Sequence, residues 1–184
     1  MAIIINTMTH LPTSFLKTIQ NGEWYNVRKL FLRRKRMDKL DRKILNIIQE
    51  DGRASIKSIA EKCFISAPSA SVRLQNLENH GFINGYTANV NYEKLGYLIK
   101  AFVRIDVSYV EMPKFVDFIS KIPNVVECNY ITGDASVQLK VFYKTMTELN
   151  EFNASLKEFG YSHTNVAFTT NIGPRPLKLP ENDE

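Results

Sequence analysis

Apolar positions repeat with a helical period early in the chain and with a strand period later. Leu40, Ile44 and Ile48 recur every four residues, and Leu45 and Ile47 widen the stripe. Asp38 supplies a side-chain acceptor at the start and Gly52 a stop, so the spacing predicts a helix of about 13 residues. Ser55 before Ile56, Ile59 and Ala60 predicts a second, short helix ending near Lys62, followed by the tight connector Cys63-Phe64-Ile65. Ser66 is the next cap, and Pro68 falls in a first turn, where its missing N–H costs nothing. Ala70, Leu74 and Leu77 form the buried stripe of a third helix that Gly81 ends. Phe82 and Ile83 lead into a β-like run, Tyr86 to Asn91.

From Ile99 the period changes to two. Ile99, Ala101, Val103, Ile105 and Val107 alternate with Lys100, Phe102, Arg104 and Asp106, a strand. Pro113 opens a helix with Phe115, Val116, Ile119 and Ile122 on its apolar face, and Pro123-Asn124 breaks it. Val125–Ile131 is a second strand, Thr132-Gly133-Asp134 a turn, and Val137, Leu139 and Val141 alternate in a third strand. Thr147 caps a helix carrying Leu149, Phe152, Leu156 and Phe159, which Gly160 ends; Val166, Phe168 and Ile172 mark a last strand. The order β-α-β-β-α-β predicts a ferredoxin-like α+β domain with helices on one sheet face. The other face then needs cover, and pairing with a second chain is the usual solution.

Three short helices with a tight turn before the third make a helix-turn-helix, whose last helix enters the major groove of duplex DNA. The candidate DNA-binding residues are Ser66, Ala67, Ser69, Ser71, Val72, Arg73, Gln75 and Asn76. Ser, Gln and Asn side chains can hydrogen-bond base edges, a small apolar side chain can meet a thymine methyl, and Arg73 suits a phosphate or a guanine. Each also has a plainer role: Ser66 as a helix cap, Arg73 as a solvated helix residue.

Composition changes this picture little, but the placement of charge changes it more. The 184 residues are 44% hydrophobic and 23% charged, an ordinary globular balance. No apolar run approaches the roughly 18 residues of a membrane span. Cys63 and Cys128 form no disulfide framework and no zinc spacing, which points to a reducing cytoplasm, and Cys63 reads as a small buried apolar residue. His10, His80 and His163 lie far apart, so no metal site is expected. There is no paired nucleophile and base and no phosphate-cradling glycine loop, so the expectation is not an enzyme. Of the net charge of +5, residues 1–36 hold +6, which leaves −1 for residues 37–184. The basic balance therefore belongs to residues 1–36, which end in Arg33-Arg34-Lys35-Arg36 before Met37. Three readings stay open for this extension: a targeting segment, a basic arm on phosphates, or a purine-rich ribosome-binding sequence read as protein, with the start at Met37.

The stretches LDRKILNIIQEDGRAS, ISAPSASVRLQNLENHGFINGYTANV, KLGY, AFVRIDV and VVECNYITGDASVQLKV resemble, in order, the Lrp/AsnC family of feast/famine regulators. The resemblance spans residues 37 to about 172. It implies a winged helix-turn-helix over 37–90, a β linker over 91–98, a ferredoxin-like dimerisation and ligand-sensing domain over 99–172, and a flexible tail over 173–184. It also implies homodimers that assemble into octamers or other higher oligomers on double-stranded DNA. Ser66 matches the family's capping serine, Arg73 its common arginine, Leu77-Glu78 its Leu-Glu pair and Gly81-Phe82-Ile83 its turn. The effector, an amino acid or related metabolite, is expected near Thr132, Gly133, Asp134, Ala135 and Ser136. Two places depart from the family: Gln75 and Asn76 replace common basic residues, and Gly133-Asp134-Ala135-Ser136 replaces Gly-Asp/Glu-Tyr-Asp.

The sequence therefore predicts a cytoplasmic, nucleoid-associated transcription regulator of amino-acid metabolism genes with no cofactor beyond a possible amino-acid effector. The alternative is an architectural DNA-binding protein with little sequence preference and no effector.

Overall fold

The computed structural model describes residues 37–180, so the readings of residues 1–36 fall outside it. The chain forms two compact units. The first takes residues up to Ala88 and, from the other end, those from Pro174; the second is Asn89–Gly173.

The first unit holds three helices: α1 (Lys39–Glu50), α2 (Ile56–Cys63) and α3 (Ala67–Asn79). Each starts where a side-chain oxygen can accept an otherwise unpaired amide. Asp38 accepts from the Asp41 N–H at 2.8 Å, and Asp41 accepts in return from the Asp38 N–H, a reciprocal cap. Ser55 accepts from the Ser58 N–H, and Ser66 from the Ser69 N–H. The α2–α3 turn runs through Phe64, a left-handed residue at φ 57° whose ring is 90% exposed beneath the Lys43 ammonium. Ile44, Ile47, Ile48, Ile59, Cys63, Ala70 and Leu77 close one buried core. Each fully buried aliphatic side chain there contributes about 1.5–3 kcal/mol of transfer free energy. Leu74, assigned to this stripe by its spacing, packs against its edge half-buried.

The expected β-like run at Tyr86–Asn91 carries no strand pairing. Instead, the Tyr86 hydroxyl donates to Glu78 Oε1 at 2.8 Å and pins this stretch to the end of α3. Burial, then the Glu78 carboxylate, push the Tyr86 pKa up to about 12, so it remains a donor.

The second unit is a four-stranded antiparallel sheet in the order β2-β3-β1-β4, from β1 (Ile99–Ile105), β2 (Val125–Tyr130), β3 (Val137–Tyr143) and β4 (Ser162–Val166). Helices α4 (Met112–Ser120) and α5 (Met146–Ser155) supply the connections of the βαββαβ order. Register pairs Ala101 with Val141, Val103 with Leu139 and Ile105 with Val137. These inward residues pack with Phe115, Ile119, Leu149, Phe152 and Leu156 from the helical layer. The opposite face, with Lys100, Phe102 and Arg104 of β1 and Gln138, Lys140 and Phe142 of β3, is half-buried. The linker does not run free either: Tyr92 stacks on Phe142 at 4.6 Å, and Glu93–Leu95 forms a single 3-10 turn.

Two sequence expectations need correction in this half. The α5 cap is Thr145, not Thr147, because the Thr145 hydroxyl accepts from the Glu148 N–H while the Glu148 carboxylate accepts from the Lys144 N–H. The last strand ends at Val166; Phe168 is fully exposed and Ile172 largely so. In the first unit, Leu179 of the tail packs on the core, and Asn46 of α1 pairs with its backbone through two hydrogen bonds.

Candidate nucleic-acid interface and effector loop

Helix α3 presents the sequence-predicted residues on two neighbouring flanks. Ala67, Ser71 and Gln75 are exposed and spaced by one helical turn each, so they form one solvent-facing stripe. Ser69, Val72 and Asn76 line a cleft of about 630 Å³, walled on the other side by Met37, Asp38 and Asp41 and by Phe82. The Ser66 oxygen serves as the cap, and its O–H remains a donor toward solvent. Seven of the eight candidates are thus open to a ligand on one helix.

Arg73 is placed differently. Its Nη1 donates to Asp38 Oδ2 and to Asp41 Oδ1, both at 2.7 Å, and its side chain is only 29% exposed. Helix α3 is therefore tied to the start of α1 by a guanidinium between two carboxylates. Burial pushes the Asp38 pKa up, but the Asp41 amide and the Arg73 bond outweigh it, and the carboxyl sits below its ordinary value. The partners lie 35 and 32 residues away, so no local pattern in the sequence marks this pair. Residues 37–88 hold seven basic and six acidic side chains, so the unit has little net attraction for phosphates.

The loop after β2 separates into two parts. Ala135 and Ser136 turn inward. The Ser136 hydroxyl accepts from the Val107 N–H at 2.8 Å and lies 3.2 Å from the Val107 carbonyl, stitching the loop to the end of β1. Thr132, Gly133 and Asp134 are exposed, and Gly133 holds φ 121°, a conformation that favours glycine. The Asp134 carboxylate is held by Arg104 Nη1, at 3.1 and 3.2 Å. Arg104, with Phe102, Gln138 and Asn165, lines a shallow hollow of about 440 Å³ on the half-buried sheet face. Sequence reasoning placed Arg104 on the outward face of β1; its pairing with the loop appears only in three dimensions. Among the described residues no cluster of His, Cys, Asp or Glu could hold a metal ion, and no helix is long and apolar enough to cross a membrane.

Comparison with known proteins matches both halves. A winged helix-turn-helix DNA-binding model covers residues 37–84, and an Lrp/AsnC ligand binding domain model covers residues 100–173. The HTH-type transcriptional regulator FL11 of Pyrococcus furiosus is 34% identical over 145 residues, covering 78% of this chain and 96% of the relative. LrpC of Bacillus subtilis, also named an HTH-type transcriptional regulator, is 28% identical over 134 residues, covering 73% and 93%. The solved structure of Bacillus subtilis LrpC superposes with a TM-score of 0.72 at 27% identity, over 76% of this chain and 99% of that one. A complex of the Neisseria meningitidis transcriptional regulator NMB0573 with L-Met superposes with a TM-score of 0.73 at 25% identity, over 80% and 98%.

Proposed function

The chain belongs to the Lrp/AsnC family of helix-turn-helix transcriptional regulators, and on that premise we propose that it reads double-stranded DNA through α3 and answers to an amino acid or a related metabolite. The observation that carries the DNA reading is the exposed stripe Ala67, Ser71 and Gln75, with Ser69, Val72 and Asn76 on the adjacent flank of one capped helix. Amides and hydroxyls there can discriminate base edges, and Ala67 and Val72 can meet thymine methyls. In this reading Arg73 positions the helix by its bond to α1, and its contact to DNA is secondary.

A near-neutral binding unit gains affinity when several copies share one DNA, because the later contacts become intramolecular. The half-buried face bearing Phe102 and Phe142 suits a homodimer contact, and the assembly grows from there. The effector reading rests on the exposed Thr132-Gly133-Asp134 segment and on the L-Met bound by the Neisseria relative. Regulation of amino-acid metabolism genes in the cytoplasm, on the nucleoid, follows from the same premise.

The test is fluorescence anisotropy of the protein with its own upstream DNA, with random DNA as control and a panel of amino acids added. Specific binding shifted by one amino acid is the expected result. Equal affinity for both DNAs with no amino-acid response would replace this reading with an architectural one.

A further inference from the structure

Helix α1 carries a polar stripe that grips an extended peptide. Arg42, Asn46 and Gln49 are spaced four and three residues apart and so share one face. Asn46 Nδ2 donates to the Leu179 carbonyl at 3.1 Å while its Oδ1 accepts from the Leu179 N–H at 2.9 Å, a two-point match to a single backbone residue. Gln49 Nε2 donates to the Leu177 carbonyl at 3.2 Å, and Arg42 Nη1 reaches the Pro180 carbonyl at 3.5 Å. Leu179 packs its side chain against the α1–α3 core. Three side chains thus read the main chain while one apolar side chain is seated, the pattern of a peptide-docking groove rather than of a chance surface contact.

We infer that this stripe is a latch for the chain's own segment Leu177–Pro180, and that the latch stiffens the DNA-binding unit for DNA. The segment suits that role: Pro174, Pro176 and Pro180 restrict its backbone before it docks, which lowers the entropy lost on docking. The latch also joins the recognition helix through contiguous bonds. Arg42 Nη2 donates to the Met37 carbonyl at 3.3 Å, next to Asp38, which Arg73 of α3 holds. Because the segment follows the second unit in the chain, that unit is joined to the first by its N-terminal linker and by the docked tail. A binding unit held at two points loses less freedom on binding. The coupling to DNA rests on the function proposed above; the latch itself does not.

The experiment uses the full chain and its Asn46→Ala variant, which removes no charge and raises helix propensity, so the helix is retained. Limited trypsin digestion with intact-mass detection follows cleavage after Lys178, which lies inside the docked segment, whereas Pro176 shields Arg175. Loss of both Asn46 hydrogen bonds is expected to speed that cleavage about tenfold. Leu179→Ser should do the same from the other side of the contact. Affinity for the upstream DNA should fall about threefold in N46A with an unchanged salt slope, since no phosphate contact is removed. Unchanged cleavage in both variants would overturn the latch. Protection that disappears on dilution would overturn the intramolecular form in favour of a tail supplied by a second copy. Faster cleavage with unchanged DNA affinity would overturn the coupling. A wild-type protein that binds no DNA but is protected at Lys178 would sink the DNA reading and support the latch alone.

Discussion

Arg73 of α3 holds Asp41 of α1 at 2.7 Å. A free arginine on this helix would be a phosphate contact, and removing a neighbouring acid would then strengthen DNA binding. A positioning arginine gives the opposite sign. Asp41→Asn is expected to weaken binding to the upstream DNA by about threefold, the scale of a partly exposed ion pair. Anisotropy titration decides between them, and tighter binding would return Arg73 to the role its position alone suggests.

Acid should loosen the same junction. The Asp38 carboxyl lies below its ordinary value because the Asp41 amide and Arg73 together outweigh the opposing effect of burial. A depressed carboxylate contributes stability that is fully present above the ordinary aspartate value of about 4 and is lost as pH falls through its lower folded value. The urea midpoint of the first unit should therefore decline below about pH 4, and Asp38→Asn, which keeps a cap acceptor, should flatten the decline. A midpoint that rises on acidification would contradict the assignment.

Gly160 leaves no room for a side chain. It holds φ 151°, and a Cβ there would meet the Asp106 carbonyl oxygen at 2.4 Å. Gly160→Ala is expected to cost about 2–4 kcal/mol, combining backbone strain with a forced shift of the neighbouring main chain. Thermal denaturation of the variant measures this directly.

Phe64 presents the reverse case. A bulky residue in the left-handed region costs about 1–2 kcal/mol, and asparagine tolerates that region better. The Lys43 contact at 5.1 Å from the ring returns part of this, about 0.5 kcal/mol at an exposed site. Phe64→Asn should therefore raise stability by about 0.5–1 kcal/mol. A loss in the urea midpoint would assign the exposed ring a stabilising role.

Gln75 sits on the exposed stripe of α3. Gln75→Lys should add about 0.9 to the slope of log affinity against log salt if the position faces a phosphate. An unchanged slope would put Gln75 away from the DNA backbone.

The elements whose signals are local were legible in the sequence. Asp38, Ser55 and Ser66 cap helices where their spacing from the apolar stripe said they would, since the acceptor and the amide it satisfies lie three residues apart. The βαββαβ order was legible for the same reason: alternation and helical period differ over short windows. The end of β4 was not, because Phe168 and Ile172 look like core residues yet stand in solvent. Thr145 and Thr147 are both capping types, and the neighbouring Glu148–Lys144 bond distinguishes them only in the folded chain. In the candidate site, the motif gave the exposure of the candidate α3 residues other than Arg73. The pairing of Arg73 with α1, of Arg104 with Asp134 and of Asn46 with Leu179 was not legible, since each joins segments 30 or more residues apart.

Asn46 and Leu179 are separated by 133 positions, and this spacing sets an order of events during synthesis. At about 5–20 residues per second, Leu179 is added roughly 7–27 s after Asn46. Through that interval the three helices lack the segment that docks on α1, while the residues of the second unit are synthesised between them. A chain cut short before Leu177 would carry every residue of α3 and still lack the segment that docks on α1. Released full-length chains and chains truncated before Leu177 should then differ in trypsin resistance of α1, and equal resistance would show that the helices need no such completion. If the difference holds, residues 177–180 complete the support of the first unit only after the second unit has been synthesised.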